Sequence, residues 1–146
     1  MKRTLATLLF LVVMLGAVAA YAQNPNYNVG PVWRVIYLHI KPGQGDAFWG
    51  DIRQHLKPIY DDEKKQGLIA DYKFYVNPVA NQPNDWNVAI ALLYPNYAAL
   101  DQLAAKGETI SAQHYGSRDA MIQAGKSRAD MADIVANRLA REVTLK

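Results

Sequence analysis

The chain has 146 residues, 16 basic against 13 acidic, a formal net charge of +3 and no cysteine. The lack of thiols excludes a disulfide framework, thiol catalysis, Cys-ligated zinc and iron–sulfur centres. With 51% hydrophobic residues the length suits one domain with its own packed core.

Residues 1–22 read as an export signal. Lys2 and Arg3 form a positive start, the run from Leu5 to Ala19 is apolar or small, and Ala20-Tyr21-Ala22 is a small-x-small cleavage pattern. Cleavage after Ala22 leaves 124 residues (146 less 22) and takes away Lys2 and Arg3. The mature chain then carries 14 basic and 13 acidic residues, net +1. A near-neutral domain gives no ground for nucleic acid or an anionic bilayer as partner. The expectation is a bacterial protein that is exported, periplasmic or secreted, with no stable membrane anchor once the signal is removed.

Residues 23–31 hold three Asn, two Pro and one Gly and read as an irregular lead-in. Residues 32–41 are β-branched and aromatic and read as a strand. One face carries Val32, Ile36, Leu38 and Ile40; the other carries Trp33, Val35, Tyr37 and His39. Pro42-Gly43 breaks it, and a helix is expected from Gln44–Asp46. Phe48, Ile52, Leu56 and Ile59 form its buried stripe, Pro58 should kink or split it, and Gly67 suits its C-terminal cap. Asp61, Asp62 and Glu63 followed by Lys64 and Lys65 read as a solvated face.

Residues 68–77 alternate as a strand, with Tyr72, Phe74 and Val76 on one side and Asp71, Lys73 and Tyr75 on the other. After a loop with two prolines, residues 85–94 form a further strand. Trp86, Val88, Ile90, Leu92 and Tyr94 lie on one face, and the small Ala89 and Ala91 on the other. Asn96 is placed to cap a short helix closed by Gly107. Residues 109–124 are weakly helical, broken by Gly116 and Gly125. Residues 127–140 read as a helix with Met131, Ile134, Val135 and Leu139 on one stripe, and the last six residues as a short strand. The order is that of an α+β, split βαβ arrangement, an antiparallel sheet with helices on one face.

The run from Val35 to Asn77, with Lys41-Pro42-Gly43, Phe48 and Gly67, followed by residues 85–101 with Tyr94 and Asn96 to Leu100, resembles the dimeric α/β-barrel superfamily, whose protomer is ferredoxin-like. Within it the chain looks most like the EthD-like and NIPSNAP-like branch, with the antibiotic-biosynthesis monooxygenases as relatives. The resemblance implies a homodimer that closes a barrel over the sheet face without helices. The apolar face of Trp33, Val35 and Tyr37 independently asks for a cover.

The expected ligand site lies on that face: Trp33, Tyr37, His39, Tyr75 and Asn87, with Asp71 and Lys73 beside them. Its ligand is a small apolar or aromatic molecule. A neutral imidazole at His39 next to tyrosines suits a general base or a carbonyl contact. Three function classes stay open: a non-enzymatic ligand-binding module, a cofactor-independent monooxygenase-like or isomerase-like enzyme, and a haem-binding protein using His114 or His55. Haem enters only because relatives of this fold bind it. The three histidines sit in separate segments without His-x-x-x-His spacing, so no metal site is expected. Ser111 and Ser117 have no nucleophile elbow around them.

Overall fold

The computed structural model describes residues 26–79 and 82–146. The expected export signal, residues 1–22, lies outside the described residues. By its contacts the described chain divides into a main unit, Gly30–Glu142, and a small unit whose described residues are 26–29 and Val143–Lys146. In the small unit the Lys146 amide donates to the Asn26 carbonyl.

Among the described residues four strands make one sheet: β1 (Tyr27–Ile40), β2 (Asp71–Val76), β3 (Val88–Tyr94) and β4 (Ala132–Leu145), in the order β2-β3-β1-β4. β3 runs antiparallel to both β1 and β2. Each crossover therefore skips one strand, which is the ferredoxin-like arrangement. The α-helices among the described residues are α1 (Gly45–Asp51), α2 (Lys57–Lys65), α3 (Tyr97–Gln102), α4 (Glu108–Tyr115) and α5 (Arg118–Met131). No helix among the described residues is long and apolar enough to cross a membrane.

Register divides the sheet into two faces as the alternation predicts. Ile36 lies opposite Ile90 and Leu38 opposite Val88, while Phe74 also meets Ile90. These residues pack with Phe48, Ile52, Ile59 and Tyr60 of the helices into the core. Trp33, Val35 and Tyr37 pair with Leu93, Ala91 and Ala89 on the other face.

The segment around Pro58 neither stops nor splits. A π-helical turn, Ile52–Leu56, joins α1 to α2, and the Lys57 amide donates to the Ile52 carbonyl five residues back. Widening the helix by one residue just ahead of the proline absorbs its missing donor. Gly67 has φ of 71° and follows the end of α2, as expected. Gly107 does not cap a helix. It closes a second π-helical turn, Leu103–Gly107, that runs on into α4. A Cβ there would stand 2.8 Å from Leu103 Cδ1, so the glycine provides clearance. Gly116, at φ 82°, ends α4, and α5 runs straight through Gly125. Asn96 caps α3 as read, its Oδ1 accepting from the Ala99 amide at 3.0 Å.

Three further expectations are overturned. β1 starts at Tyr27, so the latter part of the lead-in is strand. Trp86 precedes β3 and packs on Tyr37 of the face without helices, ring centres 5.2 Å apart, rather than in the core. The largest correction is the predicted helix over 127–140. α5 ends at Met131, where the Lys41 amide takes the Met131 carbonyl and Lys41 Nζ the Ala129 carbonyl. From Ala132 the chain is extended and joins β1, so pairing with a long strand overrides the helical spacing of Ile134, Val135 and Leu139. Leu139, 53% exposed, is not part of a buried stripe.

Candidate functional site

Two concavities flank the sheet. On the face without helices, Trp33, Val35 and Tyr37 of β1, Tyr75 of β2 and Trp86 wall a shallow depression of about 420 Å³ over Ala89 and Ala91. The small alanines keep the floor low, as the sequence suggested. Trp33 is fixed by its Nε1–H, which donates to Glu142 Oε1 at 2.6 Å, and Lys73 Nζ stands 5.5 Å from its ring centre. Asp71 is engaged by Lys64 at 2.8 Å.

Of the five residues expected to bind a ligand, Trp33, Tyr37 and Tyr75 come together here, whereas His39 and Asn87 serve the backbone. Asn87 Oδ1 accepts from the Ile40 amide at 2.8 Å while its Nδ2 donates to the Ile40 carbonyl. His39 Nδ1 lies 2.7 Å from the Asp85 carbonyl. A carbonyl can only accept, so Nδ1 carries the proton.

The second concavity lies between the core face of the sheet and α5, with a volume of about 520 Å³. Ile36, Leu38 and Ile90 form its sheet wall; Phe48, Leu56 and Tyr60 form one helical wall; Gly125, Arg128 and Ala129 form the other. The Gly125 side has open space where a side chain would project. Arg128 is the permanent cation of this apolar surface. Its Nη1 donates to the Tyr115 hydroxyl at 2.7 Å and reaches Asp51 Oδ2 at 3.4 Å, with the two charged side chains only 22% and 15% exposed. Tyr115 and Asp51 thus hold the guanidinium at the wall.

Near Arg128, the π-helical turn and α4 bring two histidines together. His55 Nδ1 is 3.1 Å from His114 Nε2, with the rings nearly perpendicular. Tyr115 packs on both, its ring centre 5.0 Å from that of His55 and 5.2 Å from that of His114. Ser117 caps α5, its Oγ accepting from the Ala120 amide.

Deeper in the core lies Glu63, which the sequence placed on a solvated face and the structure buries at 4% exposure. Among the described residues its Oε2 and the buried Tyr94 hydroxyl find no hydrogen-bond partner of good geometry. Burial pushes the Glu63 carboxyl up to about 7, against a smaller opposing pull from Arg34. Burial also raises the Tyr94 and Tyr60 hydroxyls, with the Glu63 charge adding to the rise in each. The signal for Glu63 was available: it continues the stripe of Ile59 and Tyr60 by one helical turn.

No family model matches the chain, and no curated protein matches it. Among solved structures it is similar to HapK from Hahella chejuensis, at 12% identity over 76% of this chain and 91% of that one, with a TM-score of 0.51. It is also similar to a dimeric protein of unknown function and ferredoxin-like fold from Bacteroides fragilis (14% identity, 80% and 97% covered, TM-score 0.43). A dimeric ferredoxin-like protein from an uncultured marine organism matches at 13% identity over 82% and 96%, with a TM-score of 0.44. These likenesses concern the fold.

Proposed function

We propose that this α+β, ferredoxin-like chain is an exported homodimer that binds a small apolar or aromatic molecule bearing one anionic or hydrogen-bond-accepting group. The ligand lies between the sheet and α5, and the face without helices packs on a second copy. The observation that carries the reading is the apolar cavity of about 520 Å³ with Arg128 at its wall. A pocket of this size, mostly apolar with an oriented cation at its wall, is what small-molecule sites have in common; Asp133, which also lines it, is engaged by Lys41 at 3.3 Å. The aromatic face of Trp33, Tyr37, Tyr75 and Trp86 is better used as the dimer contact, because its depression is shallow and both His39 Nδ1 and the Asn87 amide are already engaged.

The probe that suits this chemistry is an anilinonaphthalene sulfonate, aromatic and anionic. It should bind the folded protein, and Arg128→Met should weaken it about tenfold, the worth of one charge-assisted hydrogen bond. Equal affinity in both proteins would remove Arg128 from the site.

One observation favours the enzyme reading, monooxygenase-like or isomerase-like. Glu63, a carboxyl held near neutrality, is electrostatically coupled to Tyr60, which lines the cavity. Such a group is suited to proton transfer at physiological pH. Loss of any turnover in Glu63→Gln with binding retained is the result that reading requires.

A further inference from the structure

We propose that His55 and His114 form a binding site for a divalent transition-metal ion, of the borderline class that includes Cu(II), Ni(II) and Zn(II). The two residues are 59 positions apart and belong to different helical segments, yet Nδ1 of one and Nε2 of the other face each other at 3.1 Å. Two imidazole nitrogens about 2.0–2.1 Å from one ion, at the angles of square-planar or tetrahedral coordination, stand roughly 2.8–3.4 Å apart. The observed gap falls inside that range, so an ion can replace the hydrogen bond the two rings now share once its proton leaves and the rings turn to aim both lone pairs at the metal. The ring contacts of Tyr115 with both imidazoles restrict their rotation. Both histidines are half-buried, which leaves the ion's outer side to solvent.

Among the described residues no set of three His, Cys, Asp or Glu is placed to hold a metal. The site is therefore a two-imidazole clasp completed by water, with both nitrogens deprotonated when it is filled. Such a clasp exchanges its ion and follows the order of intrinsic affinities, Cu(II) ahead of Ni(II) and Zn(II). A bound ion ties the π-helical turn Ile52–Leu56 to α4. This inference is independent of the cavity ligand proposed above.

The test is calorimetric titration of the purified protein with Cu(II), then Zn(II), at pH 7.5. One ion per chain is expected, with Cu(II) the tighter. His55→Ala and His114→Ala should each weaken binding tenfold or more, and His39→Ala should leave it unchanged. The imidazole proton resonances of the unmodified protein give a reading that does not depend on variants folding. Sub-stoichiometric Cu(II) should broaden the His55 and His114 signals together and spare His39. Absence of binding at 100 µM ion, binding indifferent to both substitutions, or broadening of His39 instead would overturn the site. A Soret band on adding haem that is lost in His114→Ala would overturn it in favour of haem ligation.

Discussion

Glu63 shows what a single buried charge does to this protein. Its carboxyl ordinarily titrates at 4.5 and in the fold at about 7. The folded state therefore prefers the protonated form. The stability this gives is complete below pH 4.5, falls as the unfolded chain ionises while the folded chain does not, and is gone above pH 7. At about 1.4 kcal/mol per pH unit the loss is on the order of 3 kcal/mol. Denaturant unfolding of the wild-type protein at pH 5 and pH 8 should show that decline, and Glu63→Gln should remove most of it. A wild-type stability that rises across this interval contradicts the burial described. Glu63 was legible in the sequence once the stripe of Ile59 and Tyr60 is extended by a turn. The His55–His114 contact was not, because linear spacing carries no information about two helices that meet only after the sheet has formed. Asn87 was read as a ligand contact, whereas its side-chain amide binds the backbone of Ile40.

Among the elements, two glycines of the helical region separate sharply. Gly116 holds φ of 82° at the end of α4, a conformation that costs a side-chain-bearing residue about 1–2 kcal/mol. Gly125 lies within α5, exposed and with open space around it. Gly116→Ala should thus destabilise by about 1 kcal/mol and Gly125→Ala should stabilise by up to about 1 kcal/mol. Unfolding curves of the two variants check both signs. From the sequence the two glycines looked alike, each a break in a weak helix. The same limit explains β4. Met131, Ile134, Val135 and Leu139 keep helical spacing, but Ala132 onward finds a long partner strand in β1, and Lys41 binds the carbonyls at the end of α5. Periodicity reports which residues are apolar; it does not report whether a neighbouring strand has unpaired backbone to offer. The π-helical turn before Pro58 was half legible, since a proline demands a disturbance without saying which one.

The molecule as a whole follows from two faces of one sheet. Their residues could be assigned by alternation alone, because a strand puts every second side chain on the same side. Which face would hold a usable cavity could not, since that depends on how far α5 stands off the sheet. The open face carries Trp33, Val35, Tyr37 and Tyr75, and light scattering at micromolar concentration should give twice the chain mass. Tyr37→Glu, which places charge in the middle of that contact, should give a folded monomer. A wild-type monomer under those conditions contradicts the assembly.

The proposed ligand cavity lies beneath the sheet, and Gly125 at its wall offers the direct way to close it. A leucine there projects into open space at the cavity wall and suits the helix better than glycine. Affinity for an anilinonaphthalene sulfonate, measured by calorimetry on wild type and Gly125→Leu, is the decisive comparison. The variant should be at least as stable as wild type and bind about tenfold more weakly or not at all. Undiminished binding by a folded Gly125→Leu protein would contradict the proposed cavity.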